Sequence, residues 1–159
     1  ADCRKTLVTS SLDYCNSLYL ELPTFLTRRL QMIQNAAASL VLKIPLRVSI
    51  LSHLHGLHWL PVSKRVHFKA LTTVFRGLQV KGPLYLRRCL TLYAQTCLLR
   101  SNQMKLIKIP CVAKVRRWGS SCAFLPPKLW NSLPLALKNS PSETAFRKSL
   151  KFFLFDASI

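Results

Sequence analysis

Basic side chains far outnumber acidic ones, and this limits which catalytic sites the chain can form. The chain of 159 residues has 24 Lys and Arg against five acids, a formal net charge of +19. Polymerases, nucleases and glycosidases need two or more carboxylates that converge on one metal or bond. Five scattered acids make such a site improbable, so we predict that the chain is not an enzyme. The acids are Asp2, Asp13, Glu21, Glu143 and Asp156.

Histidines are the only residues spaced closely enough to suggest a metal. His53, His55 and His58 lie within six residues, and imidazoles at this spacing could ligate zinc from a loop. A fourth ligand is missing nearby, and no Cys-x-x-Cys pair accompanies them. There is also no glycine-rich phosphate loop and no Gly-x-Ser-x-Gly motif. We therefore expect ordinary histidines, no metal and no cofactor.

The six cysteines indicate the compartment. They show no short paired spacing, and the N-terminal residues do not lead into the apolar region of a signal peptide. We predict reduced thiols and a location in the cytoplasm or nucleus rather than secretion, with three disulfides as the alternative. No run of roughly 18 apolar residues is present, so we expect no membrane-spanning helix.

The basic residues are the candidates for binding. A polyanion would relieve the repulsion between them, and RNA or DNA is the favoured partner over an anionic membrane or a charge excess without function. No helix carries side chains spaced for reading bases, so binding would follow backbone charge and shape. Trp118 could stack on a base, although a tryptophan in such a pattern more often packs in the core. The candidates are Arg28, Arg29, Lys64, Arg65, Lys69, Arg76, Arg116, Arg117 and Trp118.

Apolar residues recur at helical intervals along two segments. One runs from Leu26 to about Pro45, and the other from Val62 to Leu78, with Pro61 in its first turn and Gly77 placed to end it. The second segment has one apolar row and one cationic row, which predicts an amphipathic helix. The apolar row is Val62, Val66, Ala70, Val74 and Leu78, and the other row is Arg65, Lys69, Thr72 and Arg76.

Weaker patterns complete the fold prediction. Residues 84–99 favour a helix, residues 105–110 alternate as a strand does, and a short helical turn is expected around Trp130. The Ser-x-x-Glu pattern of Ser140 and Glu143 predicts a capping box at the start of a final helix. Its predicted buried stripe is Phe146, Leu150 and Phe153.

These patterns together favour a mainly α chain. We expect about five helices around one core, and the alternation near 105–117 favours one short β-hairpin. No internal repeat or long linker separates parts of the sequence, so we predict a single domain over 1–159. The pattern of the first helix is already under way at the first residues, and we expect the domain to be truncated at its N-terminus relative to a longer parent.

Four sequence blocks occur in an order that resembles a known family. They lie at 12–18 (Leu-Asp-Tyr-Cys-Asn-Ser-Leu), 30–38, 57–62 (Leu-His-Trp-Leu-Pro-Val) and 127–134 (Pro-Lys-Leu-Trp-Asn-Ser-Leu-Pro). Their order is similar to the C-terminal, post-catalytic region of LINE-type non-LTR retrotransposon reverse transcriptase polyproteins, and further matching stretches extend the resemblance over essentially the whole chain. The resemblance implies a parent with an endonuclease and a polymerase whose catalytic aspartates lie upstream. Only an accessory role, holding RNA or DNA beside the polymerase core, would then fall to this chain.

The chain also departs from the family pattern. Ser11, Ser39 and Ser120 stand where the family usually has Arg, and Cys122 stands where an aromatic is usual. Losses of this kind are expected in a decaying copy. Two alternatives therefore stay open beside the accessory role: a translated remnant without function, and a structural module whose charge is incidental.

Overall fold

The structure is a computed structural model, and it describes residues 10–14, 16–44, 50–57, 59–79, 84–93, 105–109 and 121–156. The described part is mainly α-helical, which confirms the predicted fold class. Its β structure is one isolated antiparallel bridge between Leu92 and Ile107. The predicted return strand at 111–117 lies outside the described residues.

The elements follow one another in simple order. They are a 3-10 helix at Asn16–Glu21, α1 at Thr24–Leu42, α2 at Leu51–Gly56, α3 at Val62–Leu78, α4 at Leu84–Cys89, α5 at Ser121–Asn131, α6 at Leu135–Lys138 and α7 at Glu143–Asp156. The two helices predicted from strong periodicity, α1 and α3, are confirmed.

Two helix predictions were wrong in length. The helix predicted over 84–99 ends at Cys89, because residues 91–93 pair with residues 106–108 instead of continuing the helix. The turn predicted near Trp130 is the eleven-residue helix α5, which runs through Pro126 and Pro127. Prolines usually break a helix interior. Here Pro127 is under 2% exposed, so its ring packs within the second unit.

The chain divides into two compact units. The first comprises residues 1–66 and 154–159, and the second comprises residues 67–153. The single domain over 1–159 stays a prediction.

In the first unit, neutral amides fix the chain between α1 and α3. Gln34 is fully buried, and its Nε2 donates to the Leu60 carbonyl at 2.8 Å. The Val62 N–H donates to Gln31 Oε1 at 2.8 Å, and the Gln31 amide in turn donates to Gln34 and Asn35. A helix begins with N–H groups that have no partner within the helix. Gln31 supplies that partner for the first residue of α3. The apolar cluster beside these amides is Ala38, Ile50, Leu54 and Trp59.

In the second unit, three aromatic rings join α3, α5 and α7. Phe75 and Phe146 stack with their ring centroids 4.2 Å apart, and Trp130 lies 6.0 Å from Phe146. Phe146 and Trp130 are 0% and 1% exposed. Aromatic burial of this kind contributes both apolar area and specific ring geometry.

The start of α7 differs from its prediction. Ser142 is the capping residue, because its Oγ accepts the Ala145 N–H at 3.2 Å, while the Ser140 hydroxyl donates to the Leu137 carbonyl. The capping box on Ser140 was therefore wrong.

The apolar row of α7 also differs at its end. Phe146 and Leu150 are buried as predicted, but Phe153 is 38% exposed and Leu154, at 5%, takes the predicted place. Leu154 follows Leu150 by four residues, as Leu150 follows Phe146, so the three buried side chains form one i, i+4 row on the helix surface.

The aromatic cluster predicts a large difference between two phenylalanines of α7. Phe146→Ala should lower the free energy of unfolding by about 3–5 kcal/mol, because it leaves a cavity between stacked rings. Phe152 is 76% exposed, and Phe152→Ala should change that free energy by no more than about 0.5 kcal/mol. Urea unfolding of both variants measures the difference. Equal losses would show that the ring of Phe146 is not the buried one.

Candidate nucleic-acid interface

The predicted binding residues differ in how freely they could reach a ligand. Arg28 and Arg29 are exposed on α1, a helix without acidic residues, and Lys69 is exposed on α3. Lys64 is half-buried. The remaining candidates, Arg116, Arg117 and Trp118, lie outside the described residues and stay predictions.

Arg65 is held within the fold. Its Nη1 lies 3.2 Å from Asp13 Oδ1, and its side chain is only 13% exposed. Asn16 Nδ2 also donates to this carboxylate at 3.3 Å. Thr72, from the same predicted row, is 6% exposed and donates its hydroxyl to the Phe68 carbonyl. The predicted row is therefore not a continuous exposed cationic face.

Arg76 shares one carboxylate with a second arginine. Its Nε donates to Glu143 Oε1 at 2.8 Å, its Nη2 lies 2.6 Å from that oxygen, and Arg147 Nη1 lies 3.9 Å from it. The hydrogen bond from Arg76 lowers the pKa of Glu143, and the same bond raises the pKa of Arg76. Arg147 also lies over the Phe68 ring at 5.9 Å. Both arginine side chains remain about half exposed.

Sequence reasoning missed a further group of cations in the second unit. These are exposed residues on α4, on the two short segments joined by the Leu92–Ile107 bridge, and on α5. A signal for them was present, because no Asp or Glu occurs between Glu21 and Glu143. The group is Arg87, Arg88, Lys105, Lys108 and Lys128.

Two backbone hydrogen bonds define a small ribbon in this region. The Tyr93 N–H donates to the Leu106 carbonyl at 2.9 Å, and the Lys108 N–H donates to the Thr91 carbonyl at 2.8 Å. We call residues 91–93 and 105–109 the bridged ribbon. The strand predicted at 105–110 is replaced in the described residues by the isolated bridge of Ile107 with Leu92. Lys105 has a φ of 45°, which is outside the extended region.

Helix α5 fixes the bridged ribbon through two neighbouring side chains. Asn131 Nδ2 donates to the Ile107 carbonyl at 3.0 Å, and its Oδ1 accepts the Ile107 N–H at 2.9 Å. Trp130 Nε1 donates to the Lys105 carbonyl at 3.0 Å. An amide offers both a donor and an acceptor, so Asn131 pairs with Ile107 as a third strand would. Ile107 itself is 2% exposed.

The pairing also settles which ribbon side chains share a face. Bridge partners lie on the same side of an antiparallel pair, and successive residues alternate. Leu92 and Ile107 thus share one face, and Thr91, Tyr93, Leu106 and Lys108 share the other. Thr91, Tyr93 and Lys108 are exposed and Leu106 is half-buried, while on the first face Leu92 is exposed and Ile107 is buried.

One buried lysine has a structural contact. Lys138 is 5% exposed, and its Nζ donates at 3.0 Å to the carbonyl of Asn131, the last residue of α5. Burial lowers the pKa of this ammonium group. A cation at the carboxyl end of a helix stabilises the unpaired carbonyls and the helix dipole. Lys138 therefore supports α5 and does not face a ligand.

The described residues also bear on the metal and membrane predictions. In the described ranges, no group of three or more His, Cys, Asp or Glu side chains lies together. The side chains of His55, His58 and all six cysteines are outside the description. As for the bilayer, each helix of the described part is too short or too polar to cross one.

Comparisons of the chain with models of protein families, with curated proteins and with solved structures find no match. The resemblance to LINE-type reverse transcriptases thus stays a prediction from the four sequence blocks.

The carboxylate of Glu143 predicts a pH dependence. Because its pKa is lowered in the folded chain, its contribution to stability is complete above the ordinary glutamate pKa and is lost as pH falls through the folded value. The difference in unfolding free energy between the native sequence and Glu143→Gln should therefore shrink from neutral to acid pH. Arg76→Gln should remove most of the same pH dependence. A difference that stays constant into acid would contradict the ion pair.

Proposed function

We propose that the chain is the C-terminal, post-catalytic region of a LINE-type retrotransposon reverse transcriptase. Its role is to bind RNA or DNA backbones without regard to sequence, beside a polymerase core that another part of the parent supplies. It performs no catalysis of its own. The observation that carries the proposal is the supply of exposed cations in a chain with few acids to neutralise them.

The ion pairs of the fold leave most of this charge available. Asp13 is bound to Arg65, and Glu143 is shared by Arg76 and Arg147. Even if every one of the five acids neutralised one cation, the net charge would remain +19. Charge of this size repels itself in the compact state, and a polyanion that binds the folded chain relieves that repulsion.

Phosphate is the group that the exposed residues suit best. Arginine donates to phosphate through a rigid fork, and lysine binds it as a point charge. Such contacts release condensed counterions from the nucleic acid and carry no sequence information. The proposal therefore predicts affinity for many sequences and strong dependence on salt.

The blocks that carry the resemblance have roles in folding. Gln31 and Gln34 of the second block bind the backbone of Leu60 and Val62 in the third. Trp130 and Asn131 of the fourth block hold the bridged ribbon. These contacts support a folded module. They equally favour a second candidate function, in which the region only packs against its polymerase core.

One departure from the family pattern, at Ser39, can be compared with its surroundings in the structure. Ser39 stands where the family usually has Arg, and this serine is 3% exposed with its hydroxyl donating to the Asn35 carbonyl at 3.1 Å. The departure at Ser39 thus fills a closed, hydrogen-bonded position. It is not by itself a sign of decay.

Salt dependence separates binding from packing. Log affinity for a duplex should fall against log salt with a slope of about −0.9 for each phosphate contacted, and about −0.7 for a single strand. Fluorescence anisotropy of labelled RNA, single-stranded DNA and duplex DNA across a salt series measures the slope. A flat line, or no binding, would favour the packing module or the remnant. Stronger binding to anionic vesicles than to polynucleotide would favour a membrane surface.

Two substitutions on α3 with the same change of charge provide a matched pair. Lys69→Gln should make the slope shallower by about one phosphate contact, because Lys69 is exposed. Arg65→Gln should lower stability with little change of slope, because Arg65 is held by Asp13. Urea unfolding and the salt series distinguish the two effects. Equal changes of slope would show that total charge matters and position does not.

A further inference from the structure

The bridged ribbon presents an aromatic ring to solvent. The aromatic side chains of Phe75, Trp130 and Phe146 are buried in the core of the second unit, whereas Tyr93 is 54% exposed. The backbone of Tyr93 is nevertheless fixed, because its N–H donates to the Leu106 carbonyl at 2.9 Å. A flat ring on a fixed backbone loses little conformational freedom when a ligand stacks on it.

The second segment of this ribbon is anchored to α5. Ile107 is buried and bonded to Asn131 through both its N–H and its carbonyl, and Lys105 is bonded to Trp130. On the face that carries Tyr93, the side chains of Thr91 and Lys108 are also exposed. The bonds to α5 hold the backbone of the segment that carries Lys108.

One cation lies on the same face of the ribbon as the exposed ring. Lys108 pairs with Thr91, and it is therefore the diagonal neighbour of Tyr93 on the same face, within reach of a long side chain. Further exposed cations are Arg87 and Arg88 on α4, shortly before the ribbon in the sequence, and Lys105 on its second segment. No acid occurs in the sequence from residue 22 to residue 142 to oppose an anionic ligand.

An exposed aromatic among cations is the combination used by sites for single-stranded nucleic acid. The ring stacks on a base while the cations contact the flanking phosphates. The faces of bases inside a duplex are already covered by their neighbours, so a duplex could use the cations but not the ring. We infer that Tyr93 is a stacking platform for an unpaired base and that this chain binds single strands in preference to duplex. This inference rests on the proposed function and names the form of nucleic acid that it concerns.

The test compares substitutions on the two faces of the ribbon. Tyr93→Ala should weaken binding of a labelled oligothymidylate by about 5- to 150-fold, and Tyr93→Phe should retain the affinity because the ring remains. Binding of a duplex of the same length should change little. Leu92→Ala is the control, because Leu92 is 57% exposed on the other face. Its affinity for both probes should equal that of the native sequence.

A third substitution separates stacking from charge. Lys108→Gln should weaken the single strand and the duplex alike and make both salt slopes shallower. Urea midpoints of all variants should stay close to that of the native sequence, since each replaced side chain is exposed.

Two results would overturn the inference. One is equal affinity of Tyr93→Ala and the native sequence for the oligothymidylate, and the other is equal weakening of single strand and duplex by Tyr93→Ala. If salt-dependent binding persists in either case, only the stacking role fails. If the native chain binds neither probe, the proposed function fails with it.

Discussion

The shortage of acids is the constraint on which the rest of this structure depends. With 24 basic and five acidic residues, ion pairs cannot supply most of the polar contacts in the interior. Neutral amides supply them instead. A Gln or Asn side chain offers a donor and an acceptor without a charge that must be neutralised, so it can be buried at a smaller cost than an ion.

The amides act at the points where the backbone leaves regular structure. Gln31 and Gln34 bind the segment that enters α3, and Asn131 binds Ile107 of the bridged ribbon. Each contact satisfies backbone groups that a helix or a sheet would otherwise pair. Because neutral amides make these interior hydrogen bonds, most lysines and arginines of the described part lie at the surface, where a ligand can reach them. Lys138, with its carbonyl partner on α5, shows how a cation behaves when it is enclosed.

Periodicity predicted the parts of the fold that depend on neighbours along the chain. The helices α1 and α3 and the buried residues Phe146 and Leu150 were of this kind. The cap of α7 could not be predicted in this way, because Ser140 and Ser142 both precede the apolar row. In the structure Ser140 donates to the Leu137 carbonyl of α6, and Ser142 caps α7. The partner of residues 105–109 was also missed. Pairing across the chain with residues 91–93, like the amide contacts of Gln34 and Asn131, joins positions too far apart for any local pattern to show.

The sequence also predicted only part of the candidate nucleic-acid interface. Composition indicated a polyanion, and Lys69, Arg28 and Arg29 are exposed as a binding role requires. Arg65 and Arg76 looked equivalent to Lys69 in sequence, but distant acids bind both of them. The exposure of Tyr93 could not be predicted, because a single tyrosine in a weak helical pattern looks the same as a core residue. Only the pairing of residues 91–93 with 106–108 shows which side chains share its face.

Stability in the presence of a polyanion tests the central claim most directly. If unneutralised charge limits the folded state, a polynucleotide of arbitrary sequence should raise the thermal midpoint of the chain, and the rise should grow with its concentration as binding to the folded state requires. An uncharged polymer at the same mass concentration should have little effect. A midpoint that does not move, or that moves equally with both polymers, would contradict the account.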